Sequence, residues 1–153
     1  MKKQRKKQNN DAAIAVNKKL LLSFFLLLYS VSLYAEVLLK TSTTWEGGEI
    51  IYPKGKAEIT SLKLVIPKGK VSEFHCHPIP TLGYVIKGEL EVETADGKKI
   101  ILHEGDSAVE VLNTVHRGRA INGGVEVVVF YAGAEDIPHT VLPKDDTDGI
   151  YCK

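Results

Sequence analysis

The sequence predicts an all-β domain, either an antiparallel sandwich or a barrel, preceded by a basic and apolar N-terminal segment. From residue 36 onward, short segments rich in Val, Ile and Leu are separated by Gly and Pro turns at spacings near ten residues. This part lacks the apolar periodicity of a helix of ordinary length. It contains about 118 of the 153 residues, which is enough for one core of this kind.

Eight strands are predicted, each an alternating or apolar run that ends at a turn. The first ends at Pro67-Lys68-Gly69, and the second ends before Pro78, which disfavours helical backbone at the residue that precedes it. The fourth and fifth flank Ala95-Asp96-Gly97, a strong hairpin signal. In chain order the predicted strands are 58–66, 71–77, 82–86, 89–94, 98–102, 107–112, 117–121 and 125–131.

The other predicted strands are separated by Lys87-Gly88, Gly105-Asp106 and Asn122-Gly123-Gly124, all typical turn sequences. Segment 134–153 is polar and contains two prolines. We expect it to form a C-terminal tail that either wraps around the surface or frays.

The first 35 residues have the composition of a targeting signal. They carry seven Lys or Arg and one acid, whereas the rest of the chain carries 13 basic and 18 acidic side chains. Lys18-Lys19 precede an apolar run that is shorter than the roughly 20 residues needed to span a bilayer, and the small residue Ala35 follows. We predict a signal peptide over 1–35, cleaved after Ala35, with an uncleaved N-terminal anchor as the alternative. Both the signal peptide and the anchor predict that the domain is periplasmic or secreted. If the signal peptide is cleaved, the domain is expected to have no contact with a membrane.

Charge and cysteine content exclude several classes of protein. A mildly acidic domain argues against a nucleic-acid partner, which requires Lys and Arg clustered on one face. Two cysteines exclude a disulfide-dense scaffold and a four-cysteine zinc site.

The motif His75-Cys76-His77 is the strongest chemical signal. Alternation along an extended strand places His75 and His77 on one face, about 7 Å apart at the backbone, and Cys76 on the other. His116 lies between two later predicted strands, and an antiparallel topology can bring it next to His75 and His77. Neutral imidazoles suit Zn, Cu, Fe and Ni.

The spacing of these residues resembles the cupin superfamily, in particular its small single-domain bacterial members. Gly69, His75, His77 and Gly88 fall at the spacings of its first motif, and Gly105 and His116 fall at those of its second. The resemblance covers about 59–131, and the run from Glu110 to Gly118 resembles a small bacterial cupin group. It implies a double-stranded β-helix (jelly-roll) barrel over 36–133, followed by the tail 134–153, and it also implies a homodimer.

Three positions depart from the cupin pattern. Thr81 stands where the usual glutamate ligand would be, Val111 and Asn113 replace a Pro and a Gly, and Ala120 replaces the closing Asn. The resemblance therefore implies a site with three neutral ligands, His75, His77 and His116, for one divalent transition metal (Fe, Mn, Ni, Cu or Zn).

Other residues near the motifs have alternative roles. Glu110 is the nearest candidate to replace the missing acid, either as a direct ligand or in the second shell, where it would orient a histidine, and a solvated position on a barrel strand is the alternative. Thr81 either hydrogen-bonds a metal-bound water or is simply a strand residue. Gly83, Tyr84 and Asn113 are candidates for lining a substrate pocket, although Asn113 also suits a turn.

The remaining polar residues are expected to be structural or exposed. Cys76 is predicted to be a small buried residue, with a bond to Cys152 as the alternative. His103 is expected on the surface, and His139 in the tail. Arg117 and Arg119 are expected to face solvent, although they could also receive an anionic substrate.

Three functions are compatible with these observations, and no catalytic residue is assigned. The first is an exported metalloenzyme, an oxygenase, isomerase or hydrolytic enzyme, acting on a small polar organic molecule. The second is a non-catalytic module that binds such a molecule. The third is a structural barrel without a functional metal site.

Overall fold

Five antiparallel strands build the domain in the computed structural model, which describes residues 33–153. They are β1 (Ala57–Ile66), β2 (Thr81–Thr94), β3 (Lys99–Leu102), β4 (Ser107–Val109) and β5 (His116–Ala134). The sheet order is β1-β5-β2-β3, with β4 also paired to β2. The all-β class is therefore confirmed. Most of the predicted signal peptide, residues 1–32, lies outside the described residues.

Two predicted turns are internal to long strands. Segments 82–86 and 89–94 form the single strand β2, because Lys87-Gly88 is accommodated by irregular register against β5. Gly88 has a φ of 87°, a conformation that glycine adopts without a steric penalty. In the same way Asn122-Gly123-Gly124 lies within β5, where Asn122 has a φ of 56°. The prediction of separate strands was wrong at both positions.

The predicted strand 71–77 is also wrong. The segment makes isolated bridges in place of a continuous ladder. His75 pairs with His116, Cys76 with Val141 and His77 with Leu112. The segment thus crosses the end of the barrel and contacts three different parts of the chain.

The core lies between the inward faces of the long strands. Alternation in β2 buries Thr81, Gly83 and Val85, while the residues between them are more exposed. Valines at alternate positions of β5 pack against them. The buried apolar cluster consists of Ile66, Ile79, Val85, Leu90, Val92, Leu102, Ala108, Ala120, Val125, Val127, Val129 and Tyr131.

The C-terminal segment (134–153) wraps around the domain and does not fray. It contains a single turn of 3₁₀ helix over Pro143–Asp145. The carboxylate of Asp146 accepts hydrogen bonds from the backbone N–H groups of Ile150, Tyr151 and Cys152. Residues Val37–Lys153 accordingly form one compact unit. In the described part of the chain, no helix has the length and hydropathy needed to cross a membrane.

A disulfide joins Cys76 to Cys152, with an S–S distance of 2.09 Å. The prediction that Cys76 is a free buried residue was wrong, although its burial is confirmed, since it is fully inaccessible to solvent. A contact between residues 76 positions apart leaves no local signal in the sequence.

Candidate metal centre

Four side chains converge at one end of the barrel: His75, His77, Glu110 and His116. Each offers one potential ligand atom, and these atoms all lie within 4.8 Å of one another. His77 and His116 are 3% and 1% exposed. Three imidazoles and a carboxylate can therefore surround a single cation.

Backbone pairing places each histidine. His75 and His116 exchange two N–H to carbonyl bonds, of 2.9 and 2.8 Å, so that the crossing segment is fixed to the start of β5. The N–H of Asn113 donates to the carbonyl of His77 at 2.8 Å. The three ring centroids are 4.6 to 5.0 Å apart.

The orientation of each imidazole is set by a hydrogen bond from Nδ1. His75 donates to the carbonyl of Glu73 at 2.8 Å, His77 to that of His139 at 2.6 Å, and His116 to that of Thr114 at 2.8 Å. A carbonyl oxygen can only accept, so the Nδ1 atoms carry the protons. Every Nε2 is thereby directed to the centre, as in metal-binding histidines whose second nitrogen is anchored.

Glu110 supplies the negative charge of the group. One of its carboxylate oxygens, Oε2, lies 2.8 Å from Nε2 of His116 and 3.1 Å from Nε2 of His77. Burial alone would raise the pKa of the Glu110 carboxyl, but the hydrogen bonds from His116 and His77 outweigh it and lower that pKa. The carboxylate is therefore ionised at neutral pH.

The histidines respond differently to burial. Burial opposes the charged form of His116 most strongly, but the hydrogen bond and charge of Glu110 together with the hydrogen bond to the Thr114 carbonyl outweigh it and raise the pKa of the imidazole. Burial lowers the pKa of the His75 imidazole from 6.5 to about 4. His75 is consequently neutral at pH 7, with its Nε2 lone pair free for a cation. The donor set of three imidazole nitrogens and one carboxylate oxygen fits a divalent transition metal, which binds such ligands in their deprotonated forms.

Comparison with known proteins identifies the fold family. The sequence profile of the family described as "Cupin domain" matches residues 62–133. Residues 62–133, which are 72 of the 153 residues, are therefore similar to cupin domains. The β-barrel cupin fold expected from the sequence is thereby confirmed.

Solved structures of cupin proteins resemble this one. The DMSP lyase DddQ from Ruegeria pomeroyi DSS-3 is 20% identical, with a TM-score of 0.50, over 57% of this chain and 44% of the lyase chain. A cupin 2 conserved barrel domain protein from Leptotrichia buccalis is 25% identical, with a TM-score of 0.44, over 54% of this chain and 44% of that one. The likeness to the lyase concerns the fold alone.

Nitrosourea synthase from Streptomyces achromogenes subsp. streptozoticus is a curated relative. It is 30% identical over 63 residues, or 41% of this chain. The chain spans only 13% of the synthase.

The structure brings the three predicted histidines together, and it places Glu110, the candidate for an additional ligand, beside them. The Glu110 side chain is 17% exposed and contacts two of the imidazoles, so the alternative of a solvated surface position was wrong. Its backbone N–H donates to the carbonyl of Thr81 at 2.8 Å. In this protein the carboxylate therefore comes from the chain opposite Thr81, the position where the cupin pattern has its glutamate. The strand register shows that Glu110 lies opposite Thr81, whereas the sequence motif does not contain that information.

Thr81 and the predicted pocket residues have other surroundings. The Thr81 hydroxyl donates to the carbonyl of Ile79 at 3.1 Å, so it bonds locally. A cavity of about 220 Å³ adjoins Thr81 and Tyr131, and Gly83, Tyr84 and Asn113 are not among the residues that line it. Asn113 has a φ of 59°, as expected for a turn.

The other polar candidates lie outside the group. Arg117 and Arg119 form ion pairs with Glu93 and Glu91, at 2.9 and 2.7 Å. His103 is exposed, as expected. No sequence pattern indicated the role of His139, whose carbonyl accepts the hydrogen bond from His77.

Proposed function

We propose that this cupin binds one divalent transition metal through Nε2 of His75, His77 and His116 and the carboxylate of Glu110, and uses it to bind or transform a small polar organic molecule. The observation that supports this is the convergence of four ligand atoms within 4.8 Å. The three anchored Nδ1 atoms make the convergence a property of the fold. The three-histidine set expected from the sequence is extended by one carboxylate.

The chain's own residues define the chemistry of such a site. A bound divalent ion supplies Lewis-acid polarisation or activation of a bound water. Glu110 neutralises one of its two charges, so the centre keeps a net positive charge that favours anionic or strongly polar ligands. Tyr131 packs against His77, with ring centroids 5.4 Å apart, and shields that side of the site.

The identity of the metal is limited by the donors. Imidazole nitrogen suits Fe, Ni, Cu and Zn, and the carboxylate oxygen also suits Mn. Metal content of the protein purified without chelators is therefore the first measurement to make.

Two further proposals concern location and assembly. Export to the periplasm or the medium is supported by the basic and apolar N-terminal segment and by the disulfide, since disulfides persist in oxidising compartments. A homodimer is implied by the resemblance to cupins. Light scattering on the purified protein measures the latter directly.

An enzyme and a binding module can be separated experimentally. Oxygen uptake and product formation on a panel of small thiols, diols and ketoacids report turnover. Saturable binding of one of these molecules without turnover indicates a binding module.

The metal proposal is tested by elemental analysis of wild type, His116→Ala and His103→Ala. We expect about one equivalent of metal in wild type, none in His116→Ala, and wild-type content in His103→Ala, because His103 lies outside the donor group. Circular dichroism verifies that both variants are folded. A wild-type protein that neither contains nor takes up Fe, Mn, Ni, Cu or Zn contradicts the proposal, as does full occupancy in His116→Ala.

A further inference from the structure

The disulfide lies between two of the proposed metal ligands. Cys76 is flanked by His75 and His77, and its sulfur is bonded to Cys152 near the C-terminus. Cys76 is fully buried, whereas Cys152 is half-buried. The bond therefore joins the ligand-bearing segment to the last residues of the chain.

The C-terminal segment makes direct contacts with the metal centre. The carbonyl of His139 accepts the Nδ1 proton of His77 at 2.6 Å. Val141 and Cys76 exchange two backbone hydrogen bonds, of 2.9 and 3.0 Å. The C-terminal segment thus orients one imidazole and fixes the backbone between two of them.

The last residue, Lys153, is also hydrogen-bonded to a residue that contacts His77. The N–H of Lys153 donates to the carbonyl of Asn113 at 2.7 Å, and the N–H of Asn113 donates to the carbonyl of His77. The C-terminal segment and the turn before His116 are therefore joined at residues next to the disulfide.

We infer that the Cys76–Cys152 disulfide holds the C-terminal segment on the metal centre, so that its reduction weakens metal binding. The inference rests on the proposed function, since it assigns a redox control to that same site. Cys76 and Cys152 are positioning residues, which act through the orientation of His77 and His75.

The redox step is a two-electron thiol–disulfide exchange with a dithiol reductant. A thiolate of the dithiol attacks Sγ of Cys152, the more accessible sulfur, and the electron pair of the broken S–S bond leaves on Sγ of Cys76, which takes a proton. The second thiol of the reductant then displaces Cys152, which also takes a proton. Two protein thiols and one oxidised, cyclic dithiol result.

Linkage makes the effect reciprocal. If oxidation increases metal affinity by some factor, metal must stabilise the disulfide against reduction by the same factor. For a two-electron couple, each tenfold change in affinity lowers the reduction potential by about 30 mV.

The first experiment is a titration of the full-length protein with Co²⁺, followed by visible absorption, which reports the ligand set and its geometry. The oxidised wild type is compared with wild type reduced by a phosphine and with Cys76→Ala/Cys152→Ala. We expect the two forms without the disulfide to bind Co²⁺ about tenfold more weakly, which is a magnitude typical of coupling between two sites. Their d–d spectra should also differ from that of the oxidised protein. The phosphine should not change the affinity of the double variant, which controls for any chelation of Co²⁺ by the reductant.

The outcome distinguishes this inference from the proposed function. Failure of the oxidised wild type to bind Co²⁺ contradicts the proposed function itself. Equal affinities and identical spectra in oxidised and reduced protein overturn only the inference. Loss of the near-ultraviolet circular dichroism on reduction also overturns it, because the disulfide would then hold the whole domain and not the site.

The second experiment measures the reduction potential of the disulfide in glutathione buffers, with and without saturating Co²⁺. We expect Co²⁺ to lower the potential by about 30 mV for each tenfold difference found in the first experiment. His116→Ala, which keeps the disulfide but lacks a ligand, is the matched control and should show no shift. An equal shift in His116→Ala, or no shift in wild type, would overturn the inference.

Discussion

Glu110 determines the charge of the metal centre. It is the single carboxylate among the four donors, and its Oε2 is shared by two imidazoles. Hydrogen bonds to ionised groups are roughly twice as strong as those between neutral groups. The same carboxylate can therefore stabilise the metal-free site through protons and the loaded site through the cation.

Replacement of Glu110 by Gln is expected to reduce the affinity for Co²⁺ by about 10- to 100-fold, the range typical of lost polar support at a metal site. The amide keeps the shape of the side chain but cannot neutralise the ion. Titration with Co²⁺ at pH 7 measures the effect. Glu104→Gln changes the net charge by the same amount at an exposed turn residue and should leave the affinity unchanged. An affinity of Glu110→Gln within twofold of wild type would show that the three histidines suffice.

At the residue scale the histidines were predictable as ligands, whereas Glu110 could be named only as a candidate whose role stayed open. The spacing of His75 and His77 predicts that their side chains lie on the same face, because alternation along an extended chain depends only on local backbone geometry. The proximity of Glu110 depends on which residue of the neighbouring strand lies opposite Thr81. That register is a tertiary property, so the sequence alone could not decide whether Glu110 is a ligand, a residue that orients a ligand or a surface residue.

At the scale of single elements, Gly88 shows how a turn sequence can lie within a strand. Its φ of 87° suits a turn and a β-bulge equally, and the chain continues into the second half of β2. A Cβ atom built on Gly88 would lie 2.3 Å from the carbonyl oxygen of Gly124. The two long strands therefore approach each other here more closely than any side chain permits.

Gly97 is a matched comparison, because it has a similar φ of 90° but no atom within 4 Å of an added Cβ. We expect Gly97→Ala to cost about 1 kcal/mol, the penalty of a left-handed conformation alone. Gly88→Ala should cost about 3 kcal/mol, because the backbone of β5 must also move. Urea denaturation with excess chelator compares the two variants. Equal losses of unfolding free energy would show that the close approach at Gly88 is relieved without cost.

The hairpin and the bulges differ in how they could be predicted. The Asp96-Gly97 turn between two alternating runs was identified correctly, because such a turn is specified by its own residues. Lys87-Gly88 and Asn122-Gly123-Gly124 carry the same residue types, but the pairing of β2 with β5 continues past them. Tertiary pairing therefore decides between a turn and a bulge.

At the scale of the whole molecule, the disulfide closes a large loop. Cys76 and Cys152 are separated by 76 positions, so the loop contains most of the barrel. Cross-linking two distant residues restricts the unfolded chain far more than the folded one. The same bond can thus stabilise the domain globally while it holds the C-terminal segment locally on the metal centre.

Removal of the disulfide is expected to lower the free energy of unfolding by about 4 kcal/mol, the loop-closure value for a loop of this length. Single domains are stable by about 5 to 15 kcal/mol, so the reduced protein should remain folded at 25 °C. Urea denaturation of oxidised wild type and Cys76→Ala/Cys152→Ala, both with excess chelator, measures the difference without a contribution from bound metal. Cys152→Ala opens the same loop while leaving the buried Cys76 in place, and it should lose nearly as much. A loss of unfolding free energy below about 1 kcal/mol in both variants would contradict this prediction. The denatured chain would then already be compact without the cross-link, and the C-terminal segment would be held by its hydrogen bonds alone.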